Sequence, residues 1–156
     1  MFFNSHQKPK LTLGRPEWFK QVESEIMQAH TKAALFDQST LGKIRIEGPD
    51  AEAFLDPICT NNMKRDPGQV IYTAILNNRG IFESDLVALR LSDECYLLYV
   101  GTTLVKRDLY WLKSHLEPGE RIKITDETES FAVLALAGPD SIRIAAEAGA
   151  SELKDL

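Results

Sequence analysis

Tyr72 and Asp85 are the residues of this sequence whose types and placing suit joint chemistry, a phenol that donates a proton and a carboxylate that accepts one. They lie on the stretch Gln69 to Leu91, QVIYTAILNNRGIFESDLVALRL, which reads as two β-strands folded back at Asn77-Asn78-Arg79-Gly80. Val70 to Leu76 and Ile81 to Leu91 are rich in β-branched, aromatic and aliphatic residues, and Asn and Gly tolerate the positive φ of a tight turn. With Asn77 facing Gly80, Tyr72 lies directly opposite Asp85, Val70 opposite Val87 and Ala74 opposite Glu83. Alternation puts Asp85 on the side of Val87, Leu89 and Leu91, the greasier one, and turns Ser84, Ala88 and Arg90 the other way. Two readings of that acid stay open. It is a functional carboxylate on an apolar face, or a solvated one where the strand end frays, since acids are almost never buried unpaired.

Elements must hold that pair, and the chain is long enough to supply them. Its 156 residues, 44% hydrophobic and 26% charged, suit one soluble globular domain with a real core. A net charge of -5, with no basic run longer than Lys64-Arg65 or Lys106-Arg107, argues against nucleic acid as a partner. Cys59 and Cys95 lie far apart and form no C-x-x-C pair, which points to a reducing compartment, the cytoplasm or a mitochondrial matrix. His6, His30 and His115 are scattered, so no metal site is expected from local spacing. The chain has no long apolar run, and MFFNSHQKPK lacks the hydrophobic stretch of a secretory signal, so no membrane partner is expected. Dinucleotide, Walker, nucleophile-elbow and zincin motifs are missing, which excludes a self-contained dehydrogenase or nucleotide hydrolase.

Taken in order, residues 1–14 read as a poorly ordered arm and 15–156 as the folded part. Pro16 opens a helix running to about Ala33, with Trp18, Phe19, Val22, Ile26 and Met27 along a core-facing stripe. A turn at Asp37 and Ser39 precedes a short strand around Lys43 to Glu47. A second helix begins at Asp50, which suits a cap or the first turn, and faces Ala51, Phe54, Leu55 and Ile58 inward. After the hairpin, CYLLYV (95–100) reads as a buried strand, and Thr103 suits the cap of a helix facing Leu104, Leu109, Leu112 and Leu116 inward. A strand through Ile122 and Ile124 and a last one from Phe131 to Leu136 follow. Strand, Gly-Pro-Asp, amphipathic helix occurs at IRIEGPDAEAFL and again at LALAGPDSIRIA, a possible internal repeat or two uses of good punctuation. Either way the order of elements implies α+β layers with an antiparallel sheet.

RPEWF (15–19), ALFDQSTLGKIRIEGPDA (34–51), YTAILNNRGIFESDLVALRL (72–91) and TDETESFAVLALAGPDS (125–141) together resemble the folate-binding region of sarcosine and dimethylglycine dehydrogenases, of the glycine cleavage T protein (aminomethyltransferase) family. The resemblance implies a partial aminomethyltransferase-like folate-binding domain over 15–156, built of ferredoxin-like α+β subdomains with helices on one sheet face, the second repeat cut short. It implies tetrahydrofolate as cofactor, an N-methyl amine or iminium-derived one-carbon donor as partner, and FAD only on a separate domain or oxidase subunit. At matching positions the family has a catalytic aspartate, here Asp85, beside the folate amines. It also has a tyrosine packed on the folate, here Tyr72, and an apolar wall residue, here Leu41. A carboxylate so placed accepts a proton from the amine or stabilises a cationic iminium. Two positions depart from the pattern. Ile81 replaces the second of two glycines after the hairpin turn, and Gly101 stands where T proteins carry Asn, as in the dehydrogenase branch. The alternative is a non-catalytic regulatory or assembly subunit that keeps the fold.

Overall fold

The structure, a computed structural model, describes residues 13–150. Its elements in chain order are α1 (Phe19–Thr31), β1 (Ala34–Asp37), β2 (Gly42–Glu47), α2 (Ala51–Leu55), β3 (Val70–Leu76), β4 (Phe82–Ser92), β5 (Cys95–Val100), α3 (Val105–Ser114), β6 (Lys123–Asp126), β7 (Leu134–Ala137) and α4 (Ser141–Glu147). The described residues form two compact units, one of residues 37–134 and one of residues 13–36 with 135–150. The fold class is α+β, as the order of elements implies.

Asp37–Leu134 carries a five-stranded sheet in the order β3-β4-β5-β2-β6, every neighbouring pair antiparallel. Strand alternation divides it into two faces. One presents Ile71, Ile75, Leu86, Ala88, Leu98, Val100, Ile44 and Ile46 to a core that also takes Phe54 and Leu55 of α2 and Leu112 of α3. Both helices therefore cover the same face, each fully buried aliphatic side chain contributing about 1.5–3 kcal/mol. α3 lies so close on β2 that a Cβ at Gly42 would meet Val105 Cγ2 at 2.3 Å. The other unit holds α1, α4 and a two-stranded sheet of β1 and β7.

The two Gly-Pro-Asp segments do the same local work. Gly48 (φ 143°) and Gly138 (φ 115°) both adopt the left-handed region, and a Cβ would meet Arg121 O at 2.0 Å in one and Lys32 O at 2.6 Å in the other. Each sends a strand into a helix, β2 into α2 and β7 into α4.

Several expectations need correction. The hairpin register is offset by two: Tyr72 pairs with Val87, Ala74 with Asp85 and Val70 with Leu89. A register irregularity at Ile75/Leu76 and the Asn77 N–H bonded to Ile81 O (2.9 Å) absorb the extra length. The face of Asp85 is the open one, while Ser84 and Arg90 point into the protein. Asp50 stands at the N-cap of α2 as expected, but its carboxylate makes no cap hydrogen bond and is taken by Arg121 instead (2.8 Å). Leu104 rather than Thr103 stands at the start of α3, without a side-chain cap. The apolar stripe of α1 buries no residue, the strand β1 ahead of the turn at Asp37 and Ser39 was not expected, and the last strand begins at Leu134 rather than Phe131. Of the expected arm, residues 1–12 lie outside the described residues.

Candidate functional site

An offset of two keeps both residues on one face, so the hairpin still brings the predicted pair together as diagonal neighbours. The Tyr72 hydroxyl donates to Asp85 Oδ2 at 2.7 Å. Tyr72 is 64% exposed and Asp85 is exposed as well. The hydrogen bond and the negative charge of Asp85 raise the Tyr72 phenol above its ordinary value, so it stays a donor at neutral pH. Among the described residues Asp85 Oδ1 has no hydrogen-bond partner.

The sheet register also places Leu41. Leu86 pairs with Val100 across β4–β5, and Gly42 with Val100 across β2–β5. One step further along each strand sets Asp85, Gly101 and Leu41 in one row, with Ala74 on the far side of Asp85. Leu41 is half-buried, about two strand spacings (~10 Å) from Asp85. Gly101 stands between them without a side chain. A Cβ there would meet Leu104 Cδ1 at 3.4 Å, an ordinary contact.

Two residues of this face escaped the sequence reading. Tyr99 lies in the next row, between Val87 and Lys43, half-buried and with no hydrogen-bond partner for its hydroxyl among the described residues. The alternation of CYLLYV could have found it, by setting Cys95, Leu97 and Tyr99 on one side. Lys43 is fully buried, its ammonium donating to the carbonyls of Ser39, Thr128 and Phe131 at 2.9, 2.7 and 2.9 Å. Nothing in the sequence signals this, because the acceptors are backbone atoms, two of them more than eighty residues away.

On the inner side of β4, the Ser84 hydroxyl donates to Asp108 Oδ2 at 2.8 Å, and Asp108 in turn accepts from Arg107 Nε at 3.2 Å. Arg107 also donates to Glu83 O, so α3 grips β4 on both residues that precede Asp85. Burial pushes the Cys59 thiol up to about 12, which keeps it protonated at neutral pH. Among the described residues no three His, Cys, Asp or Glu side chains gather to hold a metal ion, and no helix is long and apolar enough to cross a membrane.

An antiparallel five-stranded sheet with α2 and α3 on one face defines the α+β class. The sequence and fold comparisons then define the family. Residues 2–155 match the GCVT N-terminal domain, and the chain belongs to that family. It is 32% identical to an aminomethyltransferase of Bacillus velezensis over 90% of this chain and 38% of that protein. It is 34% identical to one of Oceanobacillus iheyensis over 83% of this chain and 35% of the relative. The crystal structure of glycine cleavage system aminomethyltransferase T from Bartonella henselae superposes with a TM-score of 0.69 at 27% identity, covering 81% of this chain and 34% of that one. The chain thus spans between a third and two fifths of the length of these relatives.

Proposed function

We propose that this chain supplies the tetrahydrofolate-facing carboxylate of a one-carbon transfer protein. The observation that carries the reading is Asp85, one oxygen held by the Tyr72 hydroxyl and the other open on an exposed face, in a chain of the GCVT N-terminal family. Tetrahydrofolate suits that face: a ring system finds Tyr72 and the exposed Val70 and Leu91, and a ring amine finds a carboxylate. When bound, tetrahydrofolate supplies the amine nitrogens that accept the one-carbon unit. Asp85 Oδ1 takes the amine proton as that bond forms, and its charge favours a cationic iminium before it. Tyr72 fixes the carboxylate rotamer by spending its donor on Oδ2, while Leu41 forms an apolar wall at the other end of the row.

Gly101 beside Asp85 supports the sarcosine and dimethylglycine dehydrogenase branch, with an N-methyl amine or its iminium as donor. FAD would then lie on another domain or subunit, and the location would be cytoplasmic or the mitochondrial matrix. Ile81 favours the competing reading of a regulatory or assembly subunit, since its exposed side chain narrows the approach to the turn. Its backbone does not demand glycine, however; only Gly80 of the turn has a positive φ (72°).

The test is single-turnover formation of methylenetetrahydrofolate by the full-length protein. Asp85→Asn should keep folate binding and slow transfer by ~10²- to 10⁴-fold, with amine oxidation spared. Tyr72→Phe should do less, because the ring remains. Equal rates in wild type and Asp85→Asn would make Asp85 structural, and a wild type that binds no folate would hand the case to the regulatory reading.

A further inference from the structure

The row of side chains next to Asp85 carries two tyrosines. Tyr72 pairs with Val87 across β3–β4 and Tyr99 pairs with Val87 across β4–β5, so two phenols flank one valine on the open face of the sheet. Two strand spacings, ~10 Å, separate their backbones. Asp85 lies two residues from Val87 on β4 and on the same face, which makes it a diagonal neighbour of both tyrosines. Tyr72 uses that reach, donating to Asp85 Oδ2 at 2.7 Å, and Oδ1 stays open. Tyr99 does not. Its hydroxyl has no hydrogen-bond partner among the described residues, and its ring is half-buried, as is Val87.

Two aromatic walls, an aliphatic floor and a carboxylate at one end make a slot with a definite chemical preference. The face of a phenol ring holds a cation within ~6 Å of its centre, and a cation midway between walls ~10 Å apart lies ~5 Å from each. Methyl groups suit the Val87 floor, and the positive charge or an N–H suits Asp85 Oδ1. A bare ammonium would lose hydration that such walls do not replace, whereas a methylated one has less to lose. Two cations of β2 share this face and both are committed. Arg45 is taken by Glu127 and the Cys95 sulfur, and Lys43 by the carbonyls of Ser39, Thr128 and Phe131. Lys43 stands beyond Tyr99 in the row, so its charge confines a bound cation to the Val87 side of that ring.

We infer that Tyr99, with Tyr72, Val87 and Asp85, seats a methylated ammonium or iminium cation, so that the one-carbon donor docks on this chain beside the carboxylate. Val70 pairs with Leu89 in the row beyond Val87 and stays outside the slot, which leaves it for a ring system. Binding of the cation needs no folate. What the cation does next, transfer to tetrahydrofolate, rests on the proposed function.

The experiment follows trimethylammonium, and tert-butanol as its neutral counterpart of similar shape, by ligand-observed NMR titration of the full-length protein without folate. Wild type should bind the cation more tightly than tert-butanol by about five-fold or more. Tyr99→Leu should weaken the cation by about five-fold, the range of one cation–π contact at a half-buried ring, and leave tert-butanol within about two-fold. Tyr99→Phe keeps the ring and should stay within about two-fold of wild type for both ligands. Equal affinity of wild type for the two ligands, or a Tyr99→Leu protein that holds the cation as wild type does, overturns the seat. Should Tyr99→Leu lose its fold by circular dichroism, the contact is read in wild type instead. Nuclear Overhauser transfer from the trimethylammonium methyls to the Tyr99 ring, assigned through Tyr99→Phe, supports the seat, and its absence overturns it. A parallel titration with tetrahydrofolate separates the two readings. A protein that seats the cation but binds no tetrahydrofolate keeps the seat and loses the transfer; one that binds tetrahydrofolate without seating the cation loses this inference alone.

Discussion

A lysine with no exposed surface ordinarily needs an anion, yet Lys43 is held by three backbone carbonyls, one for each ammonium N–H. The contacts tie the turn before β2, which carries Leu41, to the loop after β6, so the placing of Leu41 depends on the Lys43 ammonium. Lys43→Met keeps the stem's volume and leaves three buried acceptors unpaired. Chemical denaturation should show a loss of roughly 2–5 kcal/mol. A loss within 0.5 kcal/mol or so, the range of an inconsequential surface change, would mean that water replaces the ammonium without penalty.

At the scale of elements, the hairpin shows what a sequence discloses and what it withholds. Its two strands, its turn and the shared face of Tyr72 and Asp85 were legible, because a face is set by parity and survives an offset of two. The register was not, since it depends on the irregularity at Ile75/Leu76 together with the backbone bond from Asn77 N–H to Ile81 O, and turn residues alone report neither. The orientation was missed for another reason. Ser84 and Arg90 look like surface residues, but Asp108 satisfies one, and Glu52 with the carbonyl of Arg65 satisfies the other, so both are buried. Asp50 shows the same blindness to remote partners. It accepts from Arg121 N–H (2.8 Å) and the Arg121 guanidinium (3.0 and 2.8 Å), joining the start of α2 to the approach to β6. Those bonds lower its carboxyl from 3.8 to about 2. The folded value lies below the unfolded one, so this contact stabilises the fold above about pH 4 and is lost as the pH falls through about 2. Acid unfolding should therefore separate wild type from Asp50→Asn near pH 5, with wild type the more stable, and the two curves should converge toward pH 2. A constant gap across that range would show that the substitution acts through something other than the ion pair.

Over the whole molecule, apolar burial is uneven. The sheet of Asp37–Leu134 has a continuous core, whereas in the other unit α1 buries nothing, and Trp18, Ile26, Met27, Leu35, Phe36 and Ile142 are all exposed. Met27 and Leu35, at 56% and 62%, lie where helical and strand periodicity would suggest a core. The sequence pattern reported an apolar face correctly, but a pattern cannot say whether anything covers that face. Exposed apolar surface of this kind drives self-association and binds hydrophobic dyes, and a net charge of -5 opposes it only weakly at physiological salt. The 156 residues expressed alone should therefore enhance the fluorescence of a hydrophobic dye and sediment partly as dimers or larger species. Met27→Lys with Leu35→Lys should suppress both effects and leave the five-stranded sheet folded, because neither side chain belongs to its core. A monodisperse, dye-silent wild-type monomer would show that this unit rearranges in solution to bury its own apolar residues.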